Sequence, residues 1–312
     1  LQLLITNYQL PNRQYEYAWY KKNFIFATLM ILAACLGGTK AYVDHRLRTE
    51  LDNSIKSLAD KITIEYAEAN TSLLGSVVIS DLHLTAPDYT PVHIDTVTLY
   101  KAYQFYNPNA LPEQAALALQ GVLMPISDTA PPVPILLSAF GYAPYYLSPR
   151  ELRGLGYTHV NADMHIEAKL RERRVLLSGT VNAHAWGEIR VSVELDKVPA
   201  PASLRTAAQQ IQLATLMFSY TNKELVNRIF TLLAQRNKIS LDNFKQALFT
   251  KLKSDLHQAR ISLDASVLAS LQQFIQTPNK LTIHLQPNPP ISINALFQAS
   301  PKRLGLKITT LD

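Results

Sequence analysis

The feature that most constrains this chain is an uncharged, mostly apolar run of 17 residues, Asn23–Thr39. Lys21 and Lys22 precede the run, and Lys40 follows it. A membrane-spanning helix needs about 20 predominantly apolar residues, with a lower limit near 17. Residues 41–43 extend the run if the ammonium group of Lys40 reaches the membrane interface. We therefore predict a transmembrane anchor at 23–43, a cytoplasmic tail at 1–22 and a body at 44–312.

The lone cysteine gives this anchor two interpretations. Leu32-Ala33-Ala34-Cys35 has the form of a lipobox, which makes Cys35 the lipidation candidate. The alternative is a retained signal anchor in which Cys35 is a small apolar side chain within the helix. The length of the apolar run favours the retained anchor.

Basic residues near the two ends of the run are balanced, so the positive-inside rule does not fix the orientation of the anchor. Arg13, Lys21 and Lys22 lie before it, and Lys40, Arg46 and Arg48 lie after it. A bare N-terminal anchor followed by a long body commonly exports that body. We therefore predict a single-pass inner-membrane protein whose body lies in the periplasm.

The net charge of the chain is mild, at +6 from 30 basic and 24 acidic residues. Nucleic-acid binding needs a concentrated basic face, and the sequence contains no such concentration. A modest basic excess suits a protein that works beside anionic lipid headgroups. We predict a membrane partner through 23–43, envelope protein partners or lipid, and no nucleic-acid partner.

Apolar periodicity after the run predicts a helix and then strands. A helix over about 42–69 is indicated by apolar residues spaced three and four apart, namely Leu47, Leu51, Ile55, Leu58 and Ile62. Strands are indicated by β-branched, partly alternating segments at Gly75–Leu84, Val92–Tyr100 and Ala116–Met124. Strict alternation over His159–Leu195 predicts a three-stranded antiparallel meander with one apolar and one solvated face.

Residues 200–276 carry helical patterns and helix-start signals. Ser148 with Glu151, and Thr221 with Glu224, have the spacing of capping boxes, and Ser240 has the chemistry of an N-cap. The predicted fold class is α+β, with an N-terminal transmembrane helix, a twisted antiparallel sheet body and a helical C-terminal third. We predict one body, with 44–198 and 199–312 as possible lobes.

Histidines of the predicted meander are the candidates for a metal site. His159 and His165 share one strand face with Asp163 and Glu167, and pairing residues whose numbers sum to 343 would place His184 opposite His159. Two imidazoles beside carboxylates can bind zinc. Polar residues also recur at every second position of any solvated sheet face. We therefore predict no metal site, and keep His159, His165 and His184 as the candidates.

Aromatic and basic clusters are the interaction candidates. Tyrosine is amphipathic and is enriched at protein and membrane interfaces. The aromatic candidates are Tyr100, Tyr103, Phe105, Tyr106, Phe140, Tyr142, Tyr145 and Tyr146. The basic candidates are Arg171, Arg173 and Arg174, which suit either a soluble hairpin tip or a contact with anionic lipid or a partner.

Motifs that would indicate catalysis or nucleotide binding are absent from the sequence: G-x-S-x-G, H-E-x-x-H, a P-loop and G-x-G-x-x-G. We therefore predict a protein that is not an enzyme, with no catalytic residue and no cofactor.

The order of anchor, amphipathic helix, GSVVISDLHL strand and HIDTVTLY strand resembles the N-terminal part of AsmA-like envelope proteins of Gram-negative bacteria. Leu155-Gly156-Tyr157 before the meander, and the segment 277–282 before a later strand, resemble uncharacterised single-anchor periplasmic proteins. The resemblance covers about half of the chain. It implies a periplasmic, non-enzymatic role near the inner membrane, either in lipid handling or in an envelope complex.

Two functions follow as expectations. The first is a non-catalytic subunit or adaptor of an inner-membrane or envelope complex. The second is a periplasmic lipid- or amphiphile-binding protein in which a curved sheet forms an apolar groove.

Overall fold

A computed structural model describes residues 40–53, 55–59, 61–72, 74–87, 90–106, 112–127, 133–134, 146–199 and 208–311. The main element of this part of the chain is a single 12-stranded antiparallel sheet, and a separate two-stranded sheet pairs β6 with β7. The strands are β1 (Thr63–Glu65), β2 (Glu68–Thr71), β3 (Val77–Thr85), β4 (Val92–Tyr100), β5 (Gln114–Pro125), β6 (Val133–Pro134), β7 (Tyr146–Leu147), β8 (His159–Arg171), β9 (Arg174–Ala183), β10 (Gly187–Asp196), β11 (Gln212–Asn222), β12 (Lys280–Leu285), β13 (Ile291–Ser292) and β14 (Lys307–Leu311).

Strand order in the large sheet follows chain order closely: β1-β3-β4-β5-β8-β9-β10-β11-β12-β14, with β2 paired to β3 and β13 paired to β11. The predicted strands at Gly75–Leu84, Val92–Tyr100 and Ala116–Met124 correspond to β3, β4 and β5. The predicted meander is confirmed as β8, β9 and β10.

The described helices are few. They are α1 (40–53 and 55–58), α2 (Pro149–Gly154), α3 (Leu225–Arg236), α4 (Leu241–Gln258) and α5 (Ala265–Gln276). Short 3-10 turns occupy Ala102–Tyr106, Ala208–Gln210 and Ile293–Gln298.

The predicted α+β fold class is wrong. The C-terminal third does hold α3, α4 and α5, but it also supplies β11, β12, β13 and β14 to the same large sheet. The predicted helical stretch at 200–276 therefore contains an 11-residue strand, β11. Among the described residues, no helix combines the length and apolar character needed to cross a membrane. Of the predicted tail and anchor, only residues 40–43 are described.

Two local predictions also need correction. The helix predicted over 42–69 ends at residue 58, and β1 and β2 follow it. Thr221 and Glu224 do not form a capping box, because Thr221 lies in β11 and Glu224 is itself the N-cap of α3 without a capping side chain. By contrast, the capping box of Ser148 and Glu151 is confirmed, and so is the Ser240 cap of α4.

Helices α3, α4 and α5 pack on one end of the apolar sheet face. Phe230, Leu233 and Leu248 are at most 2 % exposed, and they join Leu281 of β12 and Ile308 of β14 in one core cluster. Burial of each such side chain contributes roughly 1.5–3 kcal/mol. The helices therefore cover the apolar face near β12 and β14.

Polar contacts hold α1 against β2. Asp44 accepts hydrogen bonds from the backbone N–H and the Oγ1 of Thr71, both at 2.6 Å. Arg48 Nε donates to the Ala69 carbonyl at 3.0 Å. Partial burial alone would raise the pKa of Asp44, but hydrogen bonds from Lys40 and Thr71 outweigh it and lower that pKa to about 2. The Asp44 carboxylate is therefore ionised in the folded protein at neutral pH.

Candidate functional site

The first candidate site is a cluster of Asp81, His83 and His93 on the β3–β4 hairpin. His83 and His93 are direct cross-strand partners, and their ring centroids are 4.4 Å apart. Cross-strand partners share a sheet face, so the hairpin register alone brings the two imidazoles together. We call these three residues the histidine cluster.

Asp81 turns its carboxylate towards both rings. Its Oδ1 lies 3.1 Å from His83 Nε2 and 3.6 Å from His93 Nδ1. Asp81 has a φ of +55°, a left-handed backbone conformation that Asp adopts more readily than most residues. One atom from each of the three side chains lies within 4.8 Å of the other two, a separation at which a single metal ion can bind all three.

Asp95 orients His93 from the other side of its ring. His93 Nε2 lies 2.9 Å from Asp95 Oδ1. An ionised carboxylate only accepts hydrogen bonds, so this contact places the proton of a neutral imidazole on Nε2 and leaves a lone pair on Nδ1. That Nδ1 is buried and has no hydrogen-bond partner. A buried nitrogen with a free lone pair is a prepared ligand atom.

Gly121 of β5 makes the position of Asp95 possible. A Cβ atom built on Gly121 would overlap the Asp95 carboxylate, and Gly121 has a φ of +63°. The same glycine donates its N–H to Asp163 Oδ1 at 2.9 Å, and Asp163 Oδ2 lies 3.3 Å from His184 Nε2. Acidic and imidazole groups therefore follow one another across the sheet from β3 to the turn that follows β9.

A cleft of about 170 Å³ opens beside the histidine cluster. His83, His93 and His159 line it together with Leu84, Val92 and Leu123. His159 Nδ1 contacts the Thr158 hydroxyl at 3.0 Å. The cleft therefore gives the cluster access to solvent through a mainly apolar wall.

The second candidate site is an apolar row that crosses the sheet. Cross-strand pairing aligns Leu117, Ile166, Gly179, Val191 and Phe218, and we call these five residues the apolar row. Ile166 is 46 % exposed, so the helices that cover β12 and β14 leave this part of the face open.

Arginines occupy the turn at one end of that face. Arg171 pairs with Arg174 across a two-residue turn in which Glu172 has a φ of +55°. Arg174 contacts Asp196 at 2.8 Å. Within the described part of the chain, Arg171 and Arg173 form no ion pair. Two guanidinium groups are therefore available for an anionic ligand.

Histidines predicted as metal candidates are not brought together as a set. His159 reaches the cleft of the histidine cluster, whereas His184 contacts Asp163 and His165 lies 6.3 Å, centroid to centroid, from Tyr100. The predicted register is wrong, because Ala162 pairs with Ala183 and the partners sum to 345. The two-residue turn at Glu172 and Arg173 shifts the register by two and places His184 beside Asn161, whose carbonyl accepts its N–H at 3.0 Å.

Aromatic interaction candidates are only partly described. Tyr100 is 41 % exposed and Tyr103 is 52 % exposed, and the Tyr103 ring lies over Gly75. Phe105 and Tyr106 lie in the 3-10 turn, and Tyr146 begins β7. Phe140, Tyr142, Tyr145 and the lipidation candidate Cys35 lie outside the described residues.

The histidine cluster was missed by the sequence analysis, although the sequence carries a signal for it. Asp81-x-His83 and His93-x-Asp95 place an acid and a histidine on the same face of each of two consecutive strands. The two motifs mirror each other about the connecting loop. A hairpin register in which the residue numbers of paired residues sum to 176 places the two histidines opposite each other.

Comparisons with known proteins add a family without a described activity. A family model described only as "Uncharacterized protein" matches residues 180–310, which run from β9 to β14. No curated protein matches the chain. The histidine cluster lies outside the matched range, and of the apolar row only Val191 and Phe218 lie within it.

Proposed function

We propose that this chain is a non-catalytic periplasmic protein that binds an anionic amphiphile on its open sheet face. The observation that carries the proposal is the exposure of large aliphatic side chains there: Ile166 at 46 % and Leu177 at 36 %. Full burial of such a side chain is worth roughly 1.5–3 kcal/mol, and leaving it partly in water forgoes about half of that free energy. An apolar ligand that covers them recovers this free energy.

The dimensions of the apolar row suit one acyl chain. The row crosses five neighbouring strands, and a spacing of about 4.8 Å between strands gives a length of roughly 19 Å. One leaflet of a bilayer with a hydrocarbon core of about 30 Å is roughly 15 Å thick. Gly179 has no side chain, so it leaves a depression between Ile166 and Val191.

The chemistry of the row favours an acyl chain over a protein surface. Leu117, Ile166, Val191 and the neighbouring Leu177 are aliphatic and offer no side-chain hydrogen-bond donor. Hot spots of protein interfaces are enriched in Trp, Tyr and Arg rather than Leu or Val. Phe218, at the end nearest the core, is the single aromatic residue of the row.

Charge at the turn suits the headgroup of the amphiphile. The pair of Leu170 and Val175 lies directly before the turn and joins the apolar face to Arg171 and Arg173. Each Lys or Arg near an anionic lipid surface contributes about 1 kcal/mol. An acyl chain on the face therefore brings a phosphate or carboxylate headgroup to the end of the sheet at which the turn carries these two arginines.

The test is binding of the full chain to a fluorescent fatty acid and to vesicles with either anionic or zwitterionic headgroups. Ile166→Ser with Leu177→Ser should weaken binding of the fatty acid at least tenfold. Leu176→Ser is the matched control, because Leu176 is 41 % exposed but lies on the opposite sheet face. Equal binding by all three proteins would overturn the proposal.

The headgroup is tested separately. Arg171→Ala with Arg173→Ala should remove the preference for anionic vesicles, while Arg303→Ala, which changes an exposed arginine far along the chain, should preserve it. An unchanged preference in the double variant would remove the headgroup role and leave only the apolar contact.

A second candidate function is a non-catalytic adaptor of an envelope complex, favoured by the exposed Tyr100 and Tyr103. Tyrosine anchors are typical of protein contacts. Purification in a gentle detergent, with mass spectrometry of proteins and lipids in the same sample, separates the two functions. A stoichiometric partner that Tyr103→Ala releases, without bound lipid, supports the adaptor; retained lipid without a partner supports amphiphile binding.

A further inference from the structure

We infer that Asp81, His83 and His93 bind one divalent transition-metal ion of the zinc class. The site is separate from the apolar row and does not depend on amphiphile binding. Three properties of the cluster support the ion: the ligand spacing, the orientation of His93 and the chemistry of the three ligands.

The two separations between Asp81 and the histidine nitrogens match a tetrahedral site. Metal–ligand bonds of 2.0–2.1 Å at tetrahedral angles place neighbouring ligand atoms about 3.3 Å apart. Asp81 Oδ1 lies 3.1 Å from His83 Nε2 and 3.6 Å from His93 Nδ1. These two distances lie on either side of the required value, so a metal ion needs only small side-chain adjustments.

The orientation of His93 is the arrangement found around metal-ligating histidines. Such histidines almost always donate their second ring N–H to a carboxylate, a carbonyl or a water molecule. Asp95 accepts from His93 Nε2 at 2.9 Å, and the opposite nitrogen, Nδ1, is buried without a hydrogen-bond partner. A metal ion bound to Nδ1 would satisfy this buried atom.

Gly121 makes room for the carboxylate that orients His93. Because any side chain at Gly121 would occupy the space of the Asp95 carboxylate, the glycine lets Asp95 lie over β5 and reach His93. The absence of a side chain at position 121 is thus a condition for the contact between Asp95 and His93.

His83 needs only a change of tautomer to join the site. Its Nε2 donates to Asp81 when it carries the proton. A neutral imidazole that holds the proton on Nδ1 instead presents a lone pair from Nε2. The cation then takes the place of that proton between His83 and Asp81.

The ligand set selects the class of metal. Two imidazoles and one carboxylate suit Zn²⁺ and neighbouring transition metals, whereas Mg²⁺ and Ca²⁺ prefer oxygen ligands throughout. Three protein ligands leave a fourth position for water. The cleft of about 170 Å³ beside His83 and His93 has room for that water.

The experiment is calorimetric titration of the full chain, stripped of metal and of any purification tag, with Zn²⁺ alone. We expect one ion per chain, no binding of Mg²⁺ under the same conditions, and a tetrahedral visible spectrum when Co²⁺ replaces Zn²⁺. No saturable Zn²⁺ binding, or an octahedral Co²⁺ spectrum, would overturn the inference.

Variants then locate the ion. His93→Ala and Asp81→Asn should each weaken Zn²⁺ binding more than 100-fold; Asn also tolerates the left-handed backbone of position 81. Asp95→Asn should weaken binding 10–100-fold while the stoichiometry stays at one. His165→Ala is the control, because His165 is an exposed histidine of the same sheet outside the cluster.

A second ligand variant guards against a folding defect. His83→Gln changes a half-exposed residue and keeps a polar side chain of similar reach, so we expect the native circular dichroism spectrum together with a loss of more than 100-fold in Zn²⁺ affinity. Native-like folding with unchanged affinity in this variant would show that the ion binds elsewhere.

Discussion

The Asp95 carboxylate lies over the backbone of Gly121, in the space that a Cβ atom at position 121 would fill. Gly121 also has a φ of +63°, which residues other than glycine seldom adopt. Glycine is therefore required at position 121 for two reasons: the left-handed backbone conformation in β5, and the space that the Asp95 side chain of β4 occupies.

Replacing Gly121 by alanine should destabilise the protein by about 1–3 kcal/mol, because the new methyl group clashes with Asp95 and the backbone is strained. Chemical denaturation measures the loss. Gly179→Ala is the matched control, since a Cβ there meets only the His165 carbonyl at 3.8 Å. Equal stability of both variants would contradict the assigned role of Gly121.

Asp44 should make the stability of the α1–β2 contact depend on pH. Because the pKa of Asp44 is lowered to about 2 in the folded protein, the carboxylate contributes fully above its unfolded pKa of about 3.9. The contribution, at most about 2 kcal/mol, is lost as the pH falls from about 5 towards 2.

The measurement for Asp44 is the free energy of unfolding between pH 6 and pH 2 for the native protein and for Asp44→Asn. The difference between the two should shrink as the pH falls. Glu65→Gln, which changes an exposed carboxylate on β1, should run parallel to the native protein. A constant difference for Asp44→Asn would show that ionisation of Asp44 does not stabilise the fold.

Leu233 should be among the most sensitive core positions. It is completely buried in the cluster that joins α3 to the sheet, so Leu233→Ala should cost about 2–5 kcal/mol through lost burial and a residual cavity. Thermal or denaturant unfolding measures the loss. Leu74→Ala, at a position 86 % exposed, should stay within about 0.5 kcal/mol of the native protein.

Ser148 should stabilise α2 through its capping box. The Ser148 hydroxyl accepts from the Glu151 N–H at 3.3 Å, and the Glu151 carboxylate accepts from the Ser148 N–H at 2.8 Å. Ser148→Ala should therefore cost about 1 kcal/mol in the free energy of unfolding. Ser148→Thr, which keeps the N-cap hydroxyl that also donates to the Glu151 carboxylate, should recover most of it; no difference between Ala and Thr would rule out the cap as the cause.

Strands were predictable where one face is apolar and the other polar. The alternation of β8, β9 and β10 predicts both their existence and their neighbours. β11 lacks this signal, because Ser219 and Tyr220 point to opposite faces and are both buried. A strand covered on both faces loses its period of two, and its apolar residues then resemble a helical pattern.

Register and the histidine cluster depend on turns that the pattern of apolar residues does not specify. Left-handed Glu172 closes the β8–β9 hairpin in two residues, and this moves His184 away from His159. The loop between β3 and β4 has the length that pairs His83 with His93. The sequence shows that Asp81 and His83 share a face of one strand, but it does not show which residue of the next strand lies opposite His83.

The agreement between strand order and chain order has a consequence for how the sheet assembles. From β8 to β10, each strand pairs with the next along the chain across a connection of two or three residues, so the loops closed by pairing are short. Pairing of β11 with β12 instead encloses α3, α4 and α5. We expect the β8–β10 meander to form first, and the segment of α3, α4 and α5 to pack on the sheet last. Pulsed hydrogen exchange would then protect the amides of β9 and β10 before those of β12 and β14.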